Sequence, residues 1–170
     1  IESILPGGIG YVWVLNEKGQ PLDQYLLGIN FKDYRKFFMD NLELVEGRFF
    51  RDNERGVMVS SKIREWIYDY NGYWVIPKNT KLNTANLTKK AKKDQKTLDI
   101  RKQLIFLGFS KKNSTLDILA DVRGIVKYKN LNSILGFYSL VDIESFRECM
   151  GYLSADDSSK LVSKEQSNLL

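Results

Sequence analysis

The stretch Leu116-Asp-Ile-Leu-Ala-Asp-Val-Arg-Gly-Ile-Val-Lys-Tyr128 has the clearest periodicity in the 170-residue chain. Apolar side chains occupy alternate positions from Leu116 to Val122 and return at Val126 and Tyr128, and the charged residues lie largely between them. A period of two is typical of a β-strand with one buried face. The stretch therefore predicts a long, half-buried strand, with Gly124 as the expected position of a kink.

Working outward, helical spacing follows a strand signal at three places. Asn30 is a good N-cap for an amphipathic helix over about residues 31–40, and Asp142 is a good N-cap for the last helix. Ser60 or Ser61 caps a third helix, which follows the strand Gly56–Val59. We expect these helices to bury the following side chains: Phe31, Tyr34, Phe37 and Phe38 in the first, Ile63, Trp66 and Ile67 in the second, and Ile143, Phe146, Met150 and Leu153 in the last.

These elements predict an α+β fold with mainly antiparallel pairing. Residues 1–77 and 136–153 would form a βαβ-type lobe built from both chain ends, and residues 78–135 an inserted, basic, β-rich lobe. Residues 154–170 are expected to be a linker that leads into another helix. The chain begins at Ile1 instead of a methionine and contains no apolar run of the roughly 18–20 residues that span a bilayer, which indicates a soluble piece of a larger protein.

Composition removes most catalytic classes. The chain has no histidine, so the commonest general base and metal ligand are missing. Its one cysteine, Cys149, can form no internal disulfide and is expected to be a buried structural thiol. No phosphate-binding loop, dinucleotide fingerprint or calcium loop is present. We therefore predict no catalytic, cofactor-binding or metal-binding residues. A hydrolase that uses carboxylates alone, such as Glu43 with Glu46 or Asp156 with Asp157, is less favoured because nothing indicates an enclosed site.

The positive charge is concentrated in one segment. Between Lys78 and Lys112 there are eleven Lys and Arg residues against two acids, a local +9, so the rest of the chain carries about −4 of the net +5. We interpret residues 88–96 first as a solvated loop, then as a contact for anionic lipid or an acidic partner. Nucleic acid is the least favoured, because no aromatic residue lies between Lys78 and Gln103 to stack on bases. The candidate contact residues are Lys89, Lys90, Lys92, Lys93 and Lys96.

Three stretches resemble one known family. They are Leu42-Glu-Leu-Val-Glu-Gly-Arg-Phe-Phe50, then Gly56-Val-Met-Val-Ser-Ser-Lys-Ile63, and finally Val122-Arg-Gly-Ile-Val126 followed by Leu140-Val-Asp-Ile-Glu-Ser-Phe146. In order and spacing they are similar to segments of the extracytoplasmic (periplasmic core) domain of MacB/FtsX-type ABC transporter permeases. The resemblance covers roughly residues 10–153.

The resemblance implies a bacterial cell membrane protein whose domain lies outside the cytoplasmic membrane, between two transmembrane helices. It implies a non-catalytic domain that transmits ATP-driven motion. The implied partners are a cytoplasmic ABC ATPase subunit, a second permease subunit, and an extracytoplasmic adaptor or substrate. The chain departs from the family at Pro77-Lys-Asn-Thr80, where a Gly-Asp-Thr-like turn is common, and in its lysine-rich stretch. The alternative function is a basic binding module for an anionic lipid surface, an acidic partner or nucleic acid.

Overall fold

The computed structural model describes residues 7–15, 18–109 and 115–152. The predicted linker over residues 154–170 lies outside these ranges. The strands are β1 Gly7–Leu15, β2 Pro21–Ile29, β3 Leu42–Gly47, β4 Val57–Ser60, β5 Tyr73–Val75, β6 Asp99–Arg101, β7 Gln103–Phe109, β8 Thr115–Tyr128 and β9 Tyr138–Asp142. The helices are α1 Phe31–Phe38, α2 Ser61–Asn71, α3 Lys89–Lys93, α4 Asn132–Leu135 and α5 Ile143–Met150. None of the described helices has the length and apolar character needed to cross a membrane.

Six of the strands close into a barrel. The order is β8-β4-β9-β2-β1-β7, and β7 pairs again with β8. The β2–β9 and β4–β8 pairs are parallel, whereas the other neighbours are antiparallel. The predicted long strand is confirmed as β8: its first half pairs with β7, and its second half pairs with β4 on one edge and β3 on the other. Its register with β4 shifts between Val122 and Gly124, next to the predicted kink.

The predicted fold class is wrong. We expected a βαβ-type lobe from the two chain ends and a separate inserted β-rich lobe, but β7 and β8, from the predicted insertion, complete the same barrel as β1, β2, β4 and β9. The architecture is a closed barrel of mixed strands. Periodicity identified the strands, but it carries no information about which of them pair across long sequence separations.

Helix α5 fills one end of the barrel. Its Phe146 packs against Gly8, Gly10 and Gly28, where an added Cβ would lie 2.3–2.8 Å from the ring. On β7, a Cβ on Gly108 would lie 1.8 Å from the carbonyl oxygen of Cys149. The inward-facing positions of three strands therefore lack side chains where the helix approaches. The interior behind the helix is a core of buried apolar residues from the barrel strands and from helices α2 and α5.

Helices α2 and α5 leave the barrel at opposite ends, because β4 leads into α2 and runs antiparallel to β9, which leads into α5. Strand β1 begins at the α5 end, since Gly7 pairs with Ile29 and Ile29 pairs with Asp142. Hereafter "the α5 end" means this end of the barrel, and "the α2 end" means the other.

The predicted helix caps are confirmed. The side chains of Asn30 and Asp142 accept hydrogen bonds from the third backbone N–H beyond each of them. For α2, whose cap was predicted to be Ser60 or Ser61, the cap is Ser60: its hydroxyl accepts a hydrogen bond from the N–H of Ile63 at 3.1 Å. The predicted inner faces were too broad, because three of their aromatic residues are 37–58% exposed. These residues are Phe37, Phe38 and Trp66.

Candidate functional site

Two adjoining clefts form a groove beside β7 and β8. A cleft of about 740 Å³ is lined by Arg101 and Lys102, and by Ile105 and Leu119, which are paired across the two strands. A more polar cleft of about 430 Å³ shares Lys78, Gln103 and Leu119 with the first one. We call this surface the β7–β8 groove.

An ion-pair network reaches the groove through three residues that line its more polar cleft, Lys78, Asp121 and Arg123. Arg48 donates to both carboxylate oxygens of Glu54, at 2.7 and 2.5 Å, and Arg123 lies 3.4 Å from the same carboxylate. Arg123 also lies 3.2 Å from Asp121, which accepts a hydrogen bond from Lys78 at 2.8 Å. Two carboxylates are thus surrounded by three cations, which makes the network rigid and its cations partly neutralised.

Close backbone contact brings the network together. Gly47, which adopts φ +75°, lies so close to β8 that an added Cβ would be 2.5 Å from the carbonyl oxygen of Arg123. In return, a Cβ on Gly124 would be 2.5 Å from the carbonyl oxygen of Arg48. The stretches that carry the family resemblance therefore meet at this corner, where each arginine follows or precedes a glycine.

The network sets the charge state of its acids. Hydrogen bonding to Arg48 is the main reason that the pKa of Glu54 falls to about 2. Hydrogen bonding to Lys78 is the main reason that the pKa of Asp121 also lies below its ordinary value. Both carboxylates are ionised at neutral pH, so neither holds the proton that a general acid must donate.

We expect Glu54→Gln to destabilise the protein at neutral pH by about 2 kcal/mol, a figure reduced for solvent screening of the half-exposed Arg48. The pKa of Glu54 is lowered by folding, so its stabilising effect is complete above pH 4.5 and is lost as the pH falls towards 2. Urea unfolding of both proteins over this range should therefore show a difference that shrinks with acidity. Glu43→Gln, on an exposed side chain of β3, is the control and should change little. An undiminished difference at acid pH would contradict the assignment.

The segment predicted as a solvated loop is instead ordered around α3. The hydroxyl of Thr88 caps this helix by accepting from the N–H of Ala91 at 3.2 Å. Ala91 and Leu87 are buried beside Trp74 in a small core that is separate from the barrel interior. Tyr68 of α2 donates a hydrogen bond of 2.5 Å to Asp94, and burial together with this bond raises the pKa of Tyr68 to about 12. The candidate lysines therefore project from a packed scaffold.

The structure places all five candidate lysines at exposed positions of one short segment, four on α3 and Lys96 in the turn that follows it. Lys90 is partly neutralised, since it lies 3.3 Å from Asp69 and 5.4 Å from the centre of the Tyr68 ring. The other four are exposed and have no ion-pair partner among the residues that the structure describes. They are Lys89, Lys92, Lys93 and Lys96. We call the five residues the lysine face.

Cys149 is completely buried, as expected, and burial raises the pKa of its thiol to about 12. Residues 7–15, 18–109 and 115–152 contain no group of three or more Cys, Asp or Glu residues that could hold a metal ion. In the less favoured pair, Glu43 is exposed, whereas Glu46 forms a salt bridge of 2.8 Å with Arg64. Asp156 and Asp157 lie outside the described residues.

Sequence reasoning missed the network of Arg48, Glu54, Arg123, Asp121 and Lys78. Its available signal was the repeated pairing of arginine with glycine, at Gly47-Arg48, Arg55-Gly56 and Arg123-Gly124. The molecule is a closed barrel of mixed strands, with helix α5 packed at one end and a charged groove on its side. No protein-family model matches the chain, and no curated protein sequence matches it.

Proposed function

We propose that this chain is a non-catalytic, extracytoplasmic domain of a bacterial ABC transporter permease of the MacB/FtsX type. Its role is to transmit ATP-driven motion from the membrane part to an extracytoplasmic adaptor or substrate. The proposed partners within the transporter are a cytoplasmic ABC ATPase subunit and a second permease subunit. The resemblance of three stretches supports the family, and their convergence around Arg123 and Gly124 gives those stretches a common structural purpose.

The observation that carries the proposal is the proximity of the two ends of the described chain. Gly8 and Gly10, at the start of β1, lie against Phe146 and Met150 of α5. Tyr152, after α5, remains close to the same place, with its ring centre 6.5 Å from that of Phe146. A domain inserted between two neighbouring membrane helices must receive and return the chain on one side, and this geometry meets that requirement.

The fold is also suited to transmitting motion. Displacement of the chain at the α5 end would act directly on α5, which packs against the barrel where Gly108 meets the backbone of Cys149 and Gly28 meets the ring of Phe146. Closely packed interiors have low compressibility and transmit strain. The barrel would therefore move as a unit and carry the α2 end with it.

The topology can be tested with a single introduced cysteine. In intact cells that produce the complete natural protein, we expect Lys96→Cys to react with a membrane-impermeant maleimide, because residue 96 is exposed and the domain lies outside the membrane. The native Cys149 provides the control, since it is completely buried and its thiol pKa is raised. It should remain unlabelled until the protein is denatured.

Labelling of Lys96→Cys only after cell lysis would place the domain in the cytoplasm and contradict the proposal. Copurification from detergent extracts gives a second measurement. An ABC ATPase subunit should accompany the membrane protein, and its absence under conditions that preserve the complex would count against the transporter class.

A further inference from the structure

We propose that the lysine face is a docking site for an acidic polypeptide at the end of the domain farthest from the membrane. This inference deepens the proposed function by naming the chemistry of the extracytoplasmic partner. It also rests on that function, because the position of the membrane follows from it.

The first argument is the position of the lysine face. Strand β1 runs from the α5 end to the α2 end, so the turn between β1 and β2 lies at the α2 end. Lys18 and Gln20 of that turn border a cleft of about 470 Å³, whose other side contains Tyr68, Lys90 and Thr97. Helix α3 is thus at the α2 end, opposite the described chain ends. In the proposed permease this surface points away from the bilayer, which favours a polypeptide over lipid head groups.

The second argument is that the charges oppose the stability of their own helix. Lys89 is followed by lysines three and four positions later, a spacing that places like charges side by side. Lys89 is also the first residue of α3, where the helix dipole disfavours a cation. Four of the five have no acid within salt-bridge distance in the described residues. An acidic partner would relieve both unfavourable terms.

The third argument is preorganisation. The buried Ala91 and Leu87, together with the Tyr68–Asp94 hydrogen bond, fix α3 against α2. A partner therefore meets an ordered array of ammonium groups and does not have to order a loop, which reduces the entropic cost of binding. The segment between Lys78 and Gln103 contains no aromatic residue on which bases could stack, and the exposed Tyr70 borders the face only at the cleft beside Lys90. An oligonucleotide is therefore one of the probes in the test.

The test uses three anionic probes with the purified chain: a glutamate homopolymer, phosphatidylglycerol vesicles and an oligothymidine strand. At low ionic strength, where the Debye length is about 30 Å at 0.01 M salt, we expect binding to the glutamate polymer in preference to the other two. A variant that changes four lysines to glutamine should bind it at least about tenfold more weakly and show a smaller salt dependence. The substitutions are Lys89→Gln, Lys92→Gln, Lys93→Gln and Lys96→Gln.

A matched control removes the same charge from other exposed sites and should retain most of the binding. Its substitutions are Lys32→Gln, Lys36→Gln, Lys127→Gln and Lys129→Gln. Equal loss in both variants would overturn the proposal, as would preference for vesicles or for the oligonucleotide. The result is separable from the proposed function. If the chain binds the glutamate polymer but Lys96→Cys is not labelled from outside the cell, the docking proposal is supported and the permease proposal is contradicted. If Lys96→Cys is labelled but the polymer does not bind, only the docking proposal is contradicted.

Discussion

Phe146→Ala is expected to lower the free energy of unfolding by about 3–5 kcal/mol, which corresponds to a fall in Tm of roughly 10 °C for a chain of this size. The Phe146 ring fills the space above three glycines at the α5 end, and its removal leaves a cavity that the backbone of β1 and β2 cannot close. Urea unfolding followed by tryptophan fluorescence measures the change. Ile134→Ala, at a residue that is 60% exposed, is the control and should stay within about 0.5 kcal/mol of the native protein.

Gly108→Ala tests the packing of α5 from the other partner, strand β7 of the barrel. A methyl group there would meet the backbone of Cys149, which cannot rotate away. We therefore expect overpacking to lower the free energy of unfolding by about 1–3 kcal/mol or more. The displaced helix should also expose the Cys149 thiol, which a maleimide would then label in the folded variant. Native stability and an unreactive thiol in this variant would show that α5 does not seat against β7 as described.

Glu46→Ala is expected to cost about 3–5 kcal/mol, because it leaves the guanidinium of Arg64 buried without its partner. The two side chains are only 7% and 3% exposed and lie 2.8 Å apart, and Asn86 donates a further hydrogen bond to the same carboxylate oxygen. The guanidinium also stacks 4.4 Å from the centre of the Trp74 ring. Thermal and urea unfolding at neutral pH measure the loss.

The double variant Glu46→Leu with Arg64→Met separates the pair's net contribution from the cost of breaking it. Because two buried charges are removed together, we expect stability to return to within about 1–2 kcal/mol of the native protein. Asp52→Ala, which removes the exposed ion pair with Arg35, should cost at most about 1 kcal/mol. A cost for Glu46→Ala as small as that of Asp52→Ala would contradict the buried geometry.

Local features of the fold could be predicted from the sequence because neighbouring residues determine them. Asn30 and Asp142 were recognised as caps since a cap acts on the backbone three residues away. The alternation in β8 was visible because one face of that strand is buried along most of its length. Helix α3 was missed because its four lysines outweighed the two signals of a packed helix, the capping Thr88 and the buried Ala91.

Features that depend on distant pairing could not be predicted. The barrel closes through the parallel contact of Tyr25 with Tyr138, and no local pattern relates those two residues. The ion-pair network beside the groove likewise requires Arg48, Glu54 and Arg123 to be brought together from two separate parts of the chain. The lysine residues themselves were predicted, but their shared surface at the α2 end follows only from the topology.

The parallel pairing of β2 with β9 also has a consequence for biosynthesis. Strand β2 is among the first elements to be made, whereas its partner on that edge is nearly the last. At roughly 5–20 residues per second, a ribosome leaves the β2 edge unpaired for on the order of ten seconds. Unpaired edges favour association between chains, so newly made copies are most vulnerable to aggregation during that interval, and a chaperone that covers β2 would protect them most.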